Sequence, residues 1–478
     1  NSEKLVAANC YEGLVRIMAD GTIGKGVATD WNISDDGLTY TFKLRNNSHW
    51  AMFSGHKAVL GENYEDTFDI TVKAEDFKFG IERTLSEQTG SADAPLFSAV
   101  KSISTPDDFT IVFNLSYADD NFLYALTNPG AMPCDEEFFN LTNGKYGLDA
   151  KYLLCNGPFH VSKWTEKTSV KLAKNNEYNG ESSVSPSSVT FYINNDDSEV
   201  ADKMNSVTYD VAFLSSSQFS SIENKKDLNS VAVQNVTYSF IFNQNDNNYR
   251  NKNMRLAFCR SCDTSSLFDS QSDISKADGI VPPSCKIGGE DYRNGNAAEL
   301  LSYDETLAKK NFNDALLELG SSSVETTILC TEQYESFVKQ MVQKLQKTLG
   351  VKFVSTVKVV SESDLEAAVN DGNYSVAFYP FKAKSSFAGE IIEGFDQNNI
   401  FGYESDVLSQ KIRNIKNNSG SLEGERSAVA DAENYLVSEA VIMPVFYENS
   451  YFVTSKKTSG IYFYSSADNV CFINAKKS

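Results

Sequence analysis

The chain has 478 residues, 41% of them hydrophobic and 22% charged, which is too long for one core and ordinary for a water-soluble globular protein of two or three domains. Its 43 basic and 64 acidic residues leave a formal charge of −21, which argues against nucleic acid as a partner because phosphates must be neutralised by Lys and Arg. No apolar run approaches the ~18 residues that a membrane-spanning helix needs, and no charged-then-apolar leader opens the sequence.

In chain order, Leu38–Leu44 alternates as LTYTFKL and predicts a strand with Leu38, Tyr40, Phe42 and Leu44 on one face. Ala74 opens a helix running to about Leu85, with Glu75 and Asp76 in the first turn, where the helix dipole favours acids. Asp107 and Asp108 make a turn into a strand over Thr110–Leu115. An Asn156-Gly157-Pro158 turn introduces a strand at Phe159–Trp164, and Ser169–Leu172 follows as its neighbour. Ser215–Ser221 and Asn243–Asn253 read as polar loops. Leu307–Leu319 is a helix stopped by Gly320. The stretch Glu332–Leu349 places Phe337, Met341 and Leu345 on one stripe, and Val351–Val360 continues as a strand. A short helix at Asp364–Val369 and a strand at Tyr374–Pro380 complete a helix–strand–helix–strand order, which points to an α/β lobe with a mixed sheet.

Little here suggests catalysis. The three histidines, His49, His56 and His160, are too dispersed for a triad or a metal cluster. Acid pairs such as Asp35/Asp36 and Asp107/Asp108 sit in turn-like contexts that explain them better than paired general acids do. The expectation is therefore no enzyme, no catalytic residue, no metal and no cofactor. Eight scattered cysteines include Cys259-Arg260-Ser261-Cys262, a lone CxxC that reads as buried thiols because zinc needs four ligands. A Cys10–Cys155 bridge requires Cα atoms within ~7 Å, whereas unpaired thiols would suit an anaerobic habitat.

Tyr152–Gly180, YLLCNGPFHVSKWTEKTSVKLAKNNEYNG, resembles the middle of the family 5 extracellular solute-binding proteins, the peptide-binding subunits of bacterial ABC importers. Other segments resemble that family in the same order: NCYEGLVR at Asn9–Arg16, GVATDW at Gly26–Trp31, ISDDGLTYTFKLRNNSHW at Ile33–Trp50, VKAEDFKFGIER at Val72–Arg83, VKSISTPDDFTIVFNLS at Val100–Ser116, YSFIFNQNDNNYRNKNMRLA at Tyr238–Ala257, and ENYLVSEAVIMPVFY at Glu433–Tyr447. The resemblance implies an α/β, two-lobed periplasmic-binding-protein-like fold of type II with an inserted subdomain. Lobe I would hold residues 1–45, 153–237 and 445–478, the inserted subdomain 46–152, and lobe II 238–444. Crossing strands near Val236–Phe242 and Met443–Tyr447 would form the hinge.

The implied function is extracellular capture of oligopeptides in an interlobe cleft by hinge closure, with delivery to membrane permease and ATPase subunits. Another solute, such as an oligosaccharide or an amino-acid derivative, or a surface peptide-sensing role, is the alternative. The family normally begins with an export signal and a lipid-modified Cys, so a surface-anchored or periplasmic monomer is expected, its membrane contact made only through an anchor that this chain does not include.

Matched position by position, the ligand-binding candidates are Phe213, Leu214 and Ser215 after Thr208–Asp210, Tyr238 and Phe240 on a crossing strand, Cys330 and Thr331 after Glu325–Leu329, and Phe378, Tyr379, Phe381 and Lys382 after Tyr374–Ala377. Substituting Tyr379 or Phe240 is expected to weaken capture without unfolding. Many peptide-binding members carry an Asp here that grips the ligand's amino group, but this chain reads Phe378-Tyr379-Pro380-Phe381-Lys382-Ala383-Lys384, with no acid until Glu390. The pocket is therefore expected to be basic or aromatic, with Lys382 or Lys384 meeting a carboxylate.

Overall fold

The computed structural model describes the whole chain except residues 1, 19–21, 120, 181–182, 194–196, 265–267, 269–273, 383–386, 397–398, 420 and 465–468; Lys384 is outside the described residues. The chain forms two compact units, the first made of residues Asn1–Val231 and Tyr451–Ser478 and the second of Ala232–Ser450.

The first unit opens with helix α1 (Ser2–Cys10). Strands β1 (Ala28–Ile33), β2 (Thr39–Leu44), β3 (Val100–Asp107) and β4 (Thr110–Leu115) make an antiparallel sheet in the order β1–β2–β4–β3. Period-two alternation sends Tyr40, Phe42 and Leu44 inward, against Ile111 and Phe113 of the partner strand. Leu38 precedes the strand and is only partly buried. Helix α2 (Ala74–Leu85) buries Phe77 and Ile81, and the carboxylate of Asp76 turns back to accept from the Lys73 backbone N–H at 2.7 Å. Turn chemistry accounts for the acid pairs: Asp36 accepts from Ser34 and Leu38, and Asp107 from Phe109 and Thr110.

A second antiparallel sheet follows, β5 (Phe159–Thr165), β6 (Ser169–Lys174) and β7 (Ser188–Tyr192). The turn before it is tied to the chain start. Asn156 accepts from the Glu12 N–H at 3.0 Å and donates to the Glu12 carbonyl at 2.9 Å, as a paired strand would. Gly157 donates to Cys10 O at 2.8 Å, and a Cβ there would lie 2.6 Å from Cys10 C, so only glycine fits. Arg45 forms a nearly buried ion pair with Glu12 beside it. Strand β8 (Val211–Ser215) leads into helix α3 (Ser216–Ser221). The expected polar loop at Ser215–Ser221 is thus a helix, because Ser215 and Gln218 form a reciprocal capping box that supplies the end groups a short polar helix needs.

The second unit is built on a mixed sheet entered through β9 (Leu228–Phe242). Asn243–Asn253 is likewise not a loop throughout. Asp246 caps the short helix Asn247–Arg250, and Asn251 caps α4 (Lys252–Ser261). The remaining elements are β10 (Ile274–Lys276), α5 (Glu305–Leu319), β11 (Val324–Cys330), α6 (Glu335–Leu349), β12 (Phe353–Val359), α7 (Glu362–Asn370), β13 (Val376–Lys382), α8 (Asp406–Asn417), α9 (Leu422–Ser438) and β14 (Ile442–Ser455). Gly320 ends α5 at φ 63°, the left-handed conformation of a helix stop.

Strand order is β14–β9–β13–β11–β12, with β10 added to β14. Strands β11, β12 and β13 run parallel, while β9 is antiparallel to β13 with Phe240 opposite Phe378. Alternation divides the side chains between two cores. Phe240, Phe242, Ile328, Val376 and Phe378 pack on one face with Phe258, Phe312, Met341 and Leu345 from α4, α5 and α6. Ile241, Leu329 and Ala377 face the other way, towards Leu365, Leu408, Ile412, Val429 and Leu436 from α7, α8 and α9. Each buried Phe or Leu contributes about 1.5–3 kcal/mol of transfer free energy, so these layers fix the register of the sheet.

Candidate functional site

The second unit gathers most of the candidate residues at one end of its sheet. Tyr238 lies two residues before Phe240 and therefore on the same face, but it is only partly buried. Its ring meets Tyr334 at 4.4 Å, Phe446 at 5.0 Å and Phe378 at 5.5 Å between centroids, and Phe337 packs against Phe378 and Phe446. A polar cluster tops these rings. The Tyr334 hydroxyl donates to Glu448, and its ring packs on that of Tyr238. Gln333 donates to the Tyr334 oxygen at 3.0 Å and to Glu448 at 3.3 Å. Burial, with the Glu448 charge acting in the same direction, holds the Tyr238 phenol well above its ordinary range. Both phenols therefore stay protonated and act as donors near neutral pH. Glu448 is half-buried on β14, and its carboxylate accepts from a tyrosine and an amide side chain.

Next to this cluster β13 outruns its neighbour. Pairing of β11 with β13 covers Ile328↔Val376 and Leu329↔Ala377, whereas β9 stays paired along β13 as far as Val236↔Lys382. Among the described pairings, residues Phe378–Lys382 continue past the β11 register with β9 as their partner, and Pro380 within this stretch has no N–H to leave unpaired.

The sequence candidates separate by exposure. Tyr379 and Phe381 are partly exposed on the opposite face from Tyr238, with rings 5.6 Å apart, and Phe381 packs against Phe395 and Phe401. Lys382 is exposed, and Thr331 is partly exposed just after β11. Phe240, Phe378 and Cys330 are buried in the core, because the alternation that exposes one neighbour points them into the helices. Burial pushes the Cys330 thiol up to about 11, so it is inert. Leu214, in the first unit, is also a core residue. Its neighbour Phe213 is exposed, against Phe452 and Phe463, and Ser215 serves as a helix cap. Gln333, Tyr334 and Glu448 were missed: they fall inside a helical pattern and one residue beyond a hydrophobic run, where no local signal marks them.

Another carboxylate, Glu433 on α9, differs in kind. It is fully buried and accepts from Ile280 N at 2.7 Å, Val281 N at 2.9 Å, Tyr292 Oη at 3.0 Å and Arg293 Nη1 at 2.9 Å, with Arg293 Nη2 closer still. This saturated network fixes the connection between β10 and α5 and leaves no lone pair for a ligand.

Residues 22–401 match the family described as bacterial extracellular solute-binding proteins, family 5 Middle. The dipeptide-binding protein DppE of Bacillus subtilis is 23% identical over 476 residues, which cover 95% of this chain and 84% of that protein. The oligopeptide-binding protein AliB of Streptococcus pneumoniae is 26% identical over 360 residues, 65% of this chain and 53% of its own length. Among solved structures, Listeria monocytogenes OppA bound to peptide superposes with a TM-score of 0.78 at 21% identity, covering 100% of this chain and 95% of that one. A dipeptide-binding protein from Pseudoalteromonas in complex with Met-Leu gives 0.78 at 17% identity, covering 99% and 95%. These likenesses agree with the type II fold, and the match over most of the chain establishes that it belongs to the bacterial extracellular solute-binding proteins of family 5.

Proposed function

We propose that this protein captures oligopeptides outside the cell and delivers them to the permease and ATPase subunits of an ABC importer. One observation carries the reading: Phe378–Lys382 runs past the register of β11, beside an aromatic and carboxylate cluster. An extended peptide recognises such an edge as an added strand, through main-chain hydrogen bonds that ignore side-chain identity. Glu448 supplies a negative charge for a cationic group on the ligand, a role the stretch after Ala377 cannot take because it has no acid before Glu390. Tyr379 and Phe381 supply apolar surface for ligand side chains, and Lys382 a positive charge at the far end of the strand. Family support comes from relatives named for dipeptides and oligopeptides.

Delivery requires that loaded and empty forms differ, so the ligand must bind one of them more tightly. Mild purification followed by acid extraction and mass spectrometry tests the assignment. A heterogeneous set of short peptides is the expected result. A single sugar or amino-acid derivative, with no thermal shift from any peptide pool, overturns it in favour of a non-peptide solute.

A further inference from the structure

All eight cysteines are free thiols in the structure, and seven are buried. Two of them are brought together in a way that the others are not shown to be. Cys10 ends α1 and Cys155 precedes the Asn156-Gly157-Pro158 turn, distant in sequence and adjacent in space. The Cys10 and Cys155 side chains share one buried cluster and influence each other electrostatically. Their backbones are fixed on every side. Gly157 N–H donates to Cys10 O at 2.8 Å, Asn156 is bonded in both directions to Glu12, and Ala51 N–H donates to Cys155 O at 2.7 Å. These contacts hold the two backbones close to each other, and a disulfide requires Cα atoms within ~7 Å and closer Cβ atoms. Both side chains are 1% exposed in the same core cluster, where a thiol gains nothing as a nucleophile or metal ligand.

We propose that Cys10 and Cys155 form a disulfide when the protein matures outside the cell, locking α1 and the start of the sheet β5–β6–β7 into one piece. Extracellular proteins meet an oxidising setting in which adjacent thiols pair. The reaction is thiol–disulfide exchange with a low-molecular-weight disulfide or a dithiol oxidoreductase. One thiolate attacks the oxidant to give a mixed disulfide, and the second displaces the oxidant's thiol. The two cysteines together lose two electrons and two protons, and the oxidant is reduced to its thiols. Because both groups are buried, exchange occurs during folding, before the core closes. The other thiols follow a different course. Cys259 and Cys262 lie at the end of α4 in another core cluster, where burial pushes the Cys259 thiol up to about 12 and the two thiols influence each other electrostatically, but as a CxxC pair within one helix end they join no separate elements.

The test uses the full chain, denatured, reduced and refolded in a glutathione redox buffer. Remaining thiols are alkylated, and the protein is digested with trypsin without reductant and mapped by mass spectrometry. The expected product joins the peptide Leu5–Arg16 to Tyr152–Lys163, two hydrogens lighter than their sum, with two fewer alkylated cysteines than in the reduced control. Reductant should lower the melting temperature of the oxidised wild type and leave that of C155S unchanged. Recovery of both peptides alkylated from protein with native circular dichroism overturns the proposal, as does either cysteine joined to a different partner. The mapping is made on the wild-type chain, so it decides even if C10S or C155S fails to fold. Peptide capture is read separately, so its failure leaves this result unaffected.

Discussion

Glu433 and Glu448 lie in the same unit on adjoining elements, α9 and β14, yet one is used up by the fold and the other is presented by it. Around Glu433 the donors come from backbone, tyrosine and arginine and enclose a side chain that is 1% exposed. Around Glu448 the donors include the side chains of Tyr334 and Gln333, and the residue is only partly buried. A buried charge survives only when every lone pair is met, so its surroundings are specified by stability. A partly exposed carboxylate costs little unmet, so donors aimed at it act mainly to position it.

The largest effect tests the enclosed half of this contrast. Glu433→Ala strands the Arg293 guanidinium and two backbone N–H groups, and the second unit should lose about 3–5 kcal/mol of stability. Urea unfolding followed by tyrosine and tryptophan fluorescence measures it. A loss under about 1 kcal/mol would show that the network is open to water and would erase the distinction from Glu448.

Phe240→Ala should cost about the same, roughly 3–5 kcal/mol, because a fully buried ring in the shared core of α4, α5 and α6 is replaced by a cavity. The family resemblance, matched position by position, places Phe240 at the ligand and implies weaker capture without unfolding. Phe240 is fully buried, so its loss is expected to show in stability, whereas Tyr379 retains surface. Tyr379→Ala should leave the urea midpoint nearly unchanged and weaken peptide binding by about 1–3 kcal/mol in calorimetry. Equal destabilisation by the two substitutions would mean that exposure does not distinguish core from site.

His56 provides a control in the first unit, a buried polar group without saturation. Its ring meets Leu153 O at 3.0 Å and packs on Phe53 and Phe138. Burial lowers its pKa from the ordinary 6.5 to about 4, and His160 beside it shifts in the same direction. The unfolded chain therefore takes up a proton below pH 6.5 that the folded chain refuses until about pH 4. Stability is unaffected above 6.5 and falls through that window, by about 2 kcal/mol at pH 5 from His56 alone. The difference between urea midpoints at pH 7 and pH 5 should shrink in His56→Gln. An unchanged difference would assign the acid sensitivity elsewhere.

Much of the fold is legible in the sequence because local rules carry it. The periodicities of LTYTFKL and of Glu332–Leu349, the acids opening α2 and the Gly320 stop each specify an element that the structure contains. The polar stretches failed for a physical reason: Ser and Asn read as loop formers, yet Ser215 and Asn251 cap helices with those same side chains. The site was less legible. Aromatic and apolar runs mark Tyr238, Phe240, Phe378 and Tyr379 together, and only the pleat decides which face the core. Tyr334 and Glu448 are far apart in sequence and meet only through the order of strands, which no local pattern encodes.

Glu448→Gln separates positioning from stability most finely. The amide keeps the shape and can still accept from Tyr334, so the midpoint of urea unfolding should move by less than about 0.5 kcal/mol. Peptide affinity should fall by about tenfold, roughly 1.4 kcal/mol, as a charge-assisted hydrogen bond becomes a neutral one. The loss should vanish for peptides whose amino groups have been acetylated, because they offer no cation for the carboxylate to meet. Equal losses for free and acetylated peptides would assign Glu448 to packing around Tyr334 and Tyr238. Glu433→Gln supplies the reference for a carboxylate whose charge serves the fold: its cost should appear in the urea midpoint and be the same whichever peptide is offered.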